Sequence, residues 1–268
     1  MKEYQWALIA GSAEGLGKAF TELLAGQGFN LILVDHNEEA LGEIAKKVVR
    51  MYGIKTETLC IDLADEDAWK ICMDAIRDVG CRMQDAGCGM LVYCAAMSEV
   101  KPFLDHDALS LKRFIEVNNR TALLLVHAFA QYLREQGKPG NILLMSSMAG
   151  LLAPVYVAPY AASKAYLIAL GRSLHSEFRP FNIGITVCCS GIINTPKFLE
   201  SSPQGKVKME DPAGVAAFAV KNCGKKAVCI HRRINRLNYF ILSRILTASL
   251  SAYFVNTTMR KIYPTFSR

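Results

Sequence analysis

Short apolar runs recur along the chain, separated by stretches whose apolar positions lie three and four residues apart. Residues 6–10, 31–35, 56–61, 90–96, 140–145, 183–189 and 227–230 each read as a strand. Runs this short and this apolar suit strands that are covered on both faces. Helical spacing marks residues 18–25, 38–51, 65–79, 109–135 and 158–178 between them. Strand and helix alternate throughout, which predicts an α/β fold: a doubly wound parallel sheet with helices on both faces, three layers deep. No repeat, low-complexity linker or internal boundary interrupts residues 1–230, so they read as one domain. Residues 231–268 break the alternation and read as a helical C-terminal extension.

The first strand runs straight into Gly11-Ser-Ala-Glu-Gly15-Leu-Gly17, and a helix follows. Strand, glycine turn and helix aim backbone N–H groups and a helix N-terminus at a phosphate, the arrangement of a Rossmann-type dinucleotide site. Gly11 suits the tight turn, Gly15 close approach of a pyrophosphate and Gly17 close packing of the helix. The second strand ends in Asp35. A carboxylate there accepts the adenosine ribose hydroxyls and repels a 2′-phosphate, and Glu14 adds a second repulsive charge. NAD(H) is therefore expected, with NADP(H) disfavoured. Asp62-Leu63 closes the third strand at a position suited to an adenine contact.

The chemistry-bearing stretch comes later. Tyr160 and Lys164 are four residues apart in a predicted helix and share one face. An ammonium beside a phenol favours the phenolate, so Lys164 is expected to lower the Tyr160 pKa toward the working pH. Ser147, at the end of a preceding strand, can hold a carbonyl or alcohol oxygen against that phenol. The three side chains together suit proton transfer between C=O and CH–OH.

Composition adds two constraints. The nine cysteines form no C-x-x-C pair and no Cys/His cluster at zinc spacing, so no metal site is expected. An odd count without a signal-like leader reads as reduced, buried thiols and a cytoplasmic setting. The charge is uneven. The net charge is +7, yet the stretch from Pro212 to Arg268 holds ten Lys or Arg and no acid, leaving 21 bases against 24 acids elsewhere. The positive charge belongs to the tail, and nothing in the pattern suggests a nucleic-acid-binding fold.

With these residues in place the chain resembles the short-chain dehydrogenase/reductase family, from about Gln5 to Ile230. Gly11, Gly15 and Gly17, Asp62-Leu63, Asn118, Ser147, Tyr160 with Lys164, and Gly191 with Thr195 match in order and spacing. The resemblance implies hydride transfer between a nicotinamide and a substrate carbon. It implies Tyr160 as general acid/base and Ser147 as the residue orienting the substrate oxygen. Lys164 would bind the nicotinamide ribose, and Asn118, at a helix irregularity, would hold a water in the proton relay. Ser12, Leu16, His36, Ala95, Ala96, Ile193 and Thr195 complete the implied cofactor set. A homodimer or homotetramer through the helices at 109–135 and 158–178 is implied as well. Three departures stand out: Ala10 where Thr is usual, Tyr93-Cys94-Ala95-Ala96 for Asn-Asn-Ala-Gly, and Ser190-Gly191 for Pro-Gly.

The substrate is expected between the loop after Ala96, residues 151–159 and residues 196–212. Met97, Leu152, Tyr156 and Phe198 there are apolar or aromatic. They favour a lipophilic secondary alcohol or ketone, steroid-like or fatty-acyl-like. A 3-oxoacyl thioester reductase and a non-catalytic NAD(H)-binding sensor are the rivals. The apolar tail stretch 237–255, read as one helix with Arg244 and hydroxyls along it, covers the pocket, contacts another subunit, or lies on a membrane surface. The last reading would make the protein peripherally membrane-associated.

Overall fold

The structure, a computed structural model, describes residues 6–82, 87–205 and 207–266; Gln5, where the resemblance begins, lies outside them. The chain runs β1 (Trp6–Ala10), α1 (Gly15–Gly26), β2 (Asn30–Asp35), α2 (Glu38–Tyr52), β3 (Thr56–Cys60), α3 (Ala68–Arg82) and β4 (Cys88–Tyr93). It continues through α4 (Ala108–Ile115), a π-turn at Glu116–Arg120, α5 (Thr121–Gln136), β5 (Gly140–Ser147), the short α6 (Ala149–Leu152) and α7 (Ala158–Glu177). Then come β6 (Ile183–Ser190), α8 (Pro196–Glu200), α9 (Pro212–Asn222), β7 (Val228–Ile230), α10 (Arg233–Phe240), a second π-turn at Ile241–Ile245 and α11 (Ala248–Ile262).

The seven strands form one sheet, ordered β3-β2-β1-β4-β5-β6-β7, with parallel pairing throughout. Successive side chains of a strand face opposite sides, so β1 feeds both cores. Trp6, Leu8 and Ala10 pack with α3, α5 and α7, including Ile76, Phe129 and Leu167. Ala7 and Ile9 pack with α1, α2 and α9, including Phe20, Ile44 and Val215. Both faces of the inner strands are thus dry, which is why those strands read as continuous apolar runs. Adjacent Cys188 and Cys189 fall into opposite cores for the same reason. The expectation of buried thiols fails at Cys60, which is exposed because β3 is the sheet's edge.

The strand order reverses between β1 and β4, and a crevice opens there beyond the carboxyl ends, where ligands of such sheets bind. Two structural details shape its floor. Gly11 has φ +79°, and the Cys94 and Ala95 N–H groups both donate to Ala10 O (2.9 and 2.8 Å). Gly17 starts α1 so close to the turn that a Cβ would lie 1.6 Å from Gly11 O.

The tail departs from the sequence expectation. It is two helices, not one. Leu246 is extended (φ −85°, ψ 149°), and the Thr247 side chain caps α11 by accepting from Leu250 N. A hydroxyl amid an apolar run supplies the cap that starts a new helix. Among the described residues no helix is long and apolar enough to cross a membrane.

Candidate active site

A cavity of about 1310 Å³ occupies the crevice. Its chemical centre is built by β5 and α7. The β5 strand delivers Ser147 at its end, whose Oγ accepts from Ala149 N at 3.1 Å, so the start of α6 orients the hydroxyl. Helix α7 delivers Tyr160 and Lys164 one turn apart, both lining the cavity. Ser147 and Tyr160 line the same cavity, and the Ser147 hydroxyl lies near enough to the phenol to favour its ionised form. The Lys164 Nζ donates to Met145 O at 2.9 Å and lies 5.6 Å from the Tyr160 ring centroid. Ser146, turned to the other side of β5, donates to Lys164 O at 2.9 Å and ties strand to helix.

The electrostatics correct one expectation. Burial pushes the Tyr160 phenol up to about 12, and the neighbouring Ser147 hydroxyl only partly offsets this. Burial also pulls Lys164 down to about 8. Removing a group from water disfavours its charged form, and burial is the largest influence on both groups. In this geometry Lys164 therefore does not bring the phenol toward neutrality.

The cofactor end gathers residues from the loops after β1 to β4 and β6. Gly11, Gly15, Leu16 and Gly17 line the cavity, as do Asp35, His36, Asp62 and Leu63. Ala95, Ala96, Gly191, Ile193 and Thr195 close it from the other side. Ser12 does not line it: the side chain is fully buried and donates to Val34 O at 3.2 Å, locking β1 to β2. The Asp35 carboxylate accepts from Ala13 N (3.0 Å), His36 N (2.9 Å) and Asn37 N (3.2 Å), so it also stiffens the glycine loop. Asp62 pairs with Arg113 of α4 at 2.8 Å and accepts from Ala64 N. These bonds outweigh its partial burial and hold its carboxyl below the usual range. The Thr195 hydroxyl is taken up in capping α8, accepting from Phe198 N. A turn that leaves N–H groups around a crevice, with carboxylates at the second and third strand ends, suits a dinucleotide.

Asn118 sits in the π-turn, fully buried. Its amide is used up by Met97 N (2.7 Å), Met97 O (2.9 Å) and Ser163 Oγ (2.9 Å). The side chain fixes the loop after β4 to α7 and does not reach the cavity, so the water-holding role implied for Asn118 finds no side-chain support. The unusual Tyr93 has its own explanation: it is buried and donates to Val117 O at 2.6 Å, pinning β4 to the same π-turn.

At the substrate end Met97, Leu152 and Phe198 line the cavity. Tyr156 does not. Its φ of +69° turns it toward the C-terminus, where its hydroxyl donates to Phe266 O at 3.1 Å and its ring packs 5.4 Å from that of Phe266. One participant went unrecognised in the sequence. Glu210, 4% exposed, binds Gly191 N (3.2 Å), His231 Nδ1 (2.8 Å) and Asn235 Nδ2 (2.6 Å). It joins the loop after β6 to the base of the tail, and no motif signals it. The tail itself lines the substrate end through Asn238, Leu242, Phe254 and Met259 among others. Of the three readings of the tail, this is the pocket cover.

Comparison with known proteins agrees with the geometry. The short chain dehydrogenase profile matches residues 5–205. A 7β-hydroxysteroid dehydrogenase of Clostridium sardiniense is 29% identical over 241 residues, covering 87% of each chain. A very-long-chain 3-oxoacyl-CoA reductase of Meyerozyma guilliermondii is 25% identical over 84% of this chain, which spans only 66% of the reductase. A structure from a study of 7β-hydroxysteroid dehydrogenase stereoselectivity superposes with a TM-score of 0.84 at 24% identity, covering 95% of this chain and 98% of that one. A short-chain dehydrogenase of Sphingobium yanoikuyae in complex with NADPH gives 0.77 at 22% identity, covering 90% and 93%.

Proposed function

Because the chain belongs to the short chain dehydrogenase family, and so is an oxidoreductase of alcohols and ketones that uses a nicotinamide cofactor, we propose that it transfers a hydride between NAD(H) and a lipophilic secondary alcohol or ketone. The observation that carries this reading is the gathering of Ser147, Tyr160 and Lys164, the last two one helical turn apart, in a single cavity that joins the glycine turn to an apolar end. The nicotinamide would supply or accept the hydride, and the cavity-lining residues from Gly11 to Thr195 would hold it.

This chain's own part is the proton. Ser147 positions the substrate oxygen beside the Tyr160 phenol. In ketone reduction Tyr160 donates a proton to the oxygen as it becomes an alkoxide; in oxidation it takes that proton back. Burial, which keeps the phenol protonated to about 12, favours the donating role at neutral pH. Lys164 would hold a ribose hydroxyl and stabilise the phenolate when one forms. Asn118 acts by keeping the loop after β4 against α7.

Asp35 and Glu14, both lining the cavity, support NAD(H) over NADP(H). A 3-oxoacyl thioester reductase is the second reading, favoured by the similarity to the very-long-chain 3-oxoacyl-CoA reductases. The cytoplasmic setting and the oligomeric state belong to the same proposal. The test is the rate of NAD+ and NADP+ reduction over steroid and aliphatic secondary alcohols, with oxidation of NADH and NADPH over ketones and 3-oxoacyl thioesters. Activity with NAD+ that Tyr160→Phe removes is the expected result. Turnover only of small polar polyols, or equal rates in Tyr160→Phe, would overturn the reading.

A further inference from the structure

The charges lining the cavity are sorted along it. The acids Glu14, Asp35 and Asp62 lie at or just after the ends of β1, β2 and β3, at the cofactor end, where Arg113 of α4 also lines the cavity but is paired with Asp62; Glu99, in the loop after β4, is paired with Lys101. Lys197, Lys208, Arg232 and Lys261 lie at the substrate end, on α8, the loop after it and the tail. Two acids share that end, and both are engaged: Glu200 with Lys197 at 3.8 Å, Glu210 with His231, Asn235 and Gly191 N. Among the described residues Lys208, Arg232 and Lys261 have no ion-pair partner.

Arg232 is also held in a backbone conformation that an L-residue rarely adopts, φ +62° and ψ +139°. Such a conformation persists only where its surroundings over-determine it, and it gathers at functional sites. Here the chain is pinned on both sides of Arg232. His231 N donates to Cys189 O at 2.9 Å and its ring binds Glu210, while Asn235, in the first turn of α10, binds the same carboxylate. The pinned backbone sets the half-buried Arg232 in the wall of the same cavity that Leu242, Phe254 and Met259 of the tail line.

We propose that Arg232, assisted by Lys208 and Lys261, binds an anionic end group on the substrate, so that the preferred substrate is an amphiphilic anion: an apolar body whose far end carries a carboxylate or phosphate. This rests on the proposed oxidoreductase reading and adds the charge of the substrate to it. Arg232 is a specificity residue, not part of the proton transfer. A guanidinium presents a planar fork of donors to either anion, which an exposed lysine does not.

The test is binding, read by calorimetry on the NADH-loaded protein, so it does not depend on turnover. The probes are a steroid carboxylate against its methyl ester, and a 3-oxododecanoyl-CoA thioester against its uncharged N-acetylcysteamine counterpart. The first pair probes a carboxylate and the second a phosphate. The expected result is at least ten-fold tighter binding of the anion in one pair, lost in Arg232→Gln, only partly kept in Arg232→Lys, which retains the charge but not the fork, and unchanged in Arg236→Gln. Arg236 is exposed on the same helix and does not line the cavity. If Arg232→Gln fails to fold, Lys208→Gln with Lys261→Gln carries the test through a partial loss. No preference for the anion in either pair would overturn the proposal. So would an equal loss in Arg236→Gln, or a loss of NADH affinity in Arg232→Gln matching the loss for the anion. Absence of hydride transfer to every probe would instead sink the functional reading and leave these binding results to stand or fall alone.

Discussion

The carboxyl end of the sheet and the tail that closes over it are built by different means. At the sheet, polar groups are locked from several sides: Asn118 makes three bonds, Asp35 three, and Lys164 is bonded at both its Nζ and its carbonyl. Its side chains sit between two dry cores. The tail's long-range hydrogen bonds gather toward its two ends, at His231 and Asn235 and at Asn256, Ile262, Tyr263 and Phe266. The tail leaves Leu237, Phe240, Ile245, Tyr253 and Phe254 half or more exposed. Reaction geometry demands rigidity, while a surface that meets an apolar substrate tolerates change. Substitutions at the sheet should therefore abolish a reaction, and substitutions in the tail should re-rank substrates.

The largest contrast is expected at Tyr160. Tyr160→Phe removes the proton donor and should cut kcat by about 10³-fold. Circular dichroism and melting temperature should be nearly unchanged. A residual rate above a tenth of wild type would remove Tyr160 from the chemistry. Gly17→Ala comes next. Its methyl group would have to push α1 off the glycine turn, at a cost of about 3 kcal/mol in chemical denaturation, since overpacking typically costs that much or less. NADH affinity should fall with it, and a fully stable variant would show that the turn yields.

Lys164 gives an effect of similar size and opposite sign. Its ammonium falls from the ordinary 10.5 to about 8 in the fold, so the unfolded chain binds the proton more tightly. Below about pH 8 this costs the native state on the order of 3 kcal/mol, and the cost fades as pH rises from about 8 to 10.5. Lys164→Met should therefore be inactive yet more stable than wild type at pH 7, with the gap closing by pH 10.5. A stability difference independent of pH would contradict the burial of that charge. The smallest effect is expected in the tail. Phe254→Ala should shift KM between steroid and straight-chain substrates by several-fold, with kcat on the better substrate and melting temperature little changed. An across-the-board loss of kcat would mean that the tail is as rigid a part of the site as the sheet.

The alternation of apolar runs determined the layer order, because a parallel sheet covered on both sides must be written as continuous apolar strands. The glycine turn and the Tyr160–Lys164 spacing were legible because each depends on neighbours within one turn of chain. Several things were decided only by tertiary structure. Ser12 and Tyr156 have suitable positions in the sequence, but one faces β2 and the other faces Phe266. Glu210 becomes a hub only because β6 and β7 pair in parallel and bring residues 191, 210 and 231 together. The pKa of Tyr160 follows from burial, which no local spacing records. The break at Leu246–Thr247 splits the tail into two helices, and residues of both line the one cavity. Local periodicity fixes elements and motifs; contacts between residues far apart in sequence fix which side chains share a cavity, because only the closed sheet sets those distances.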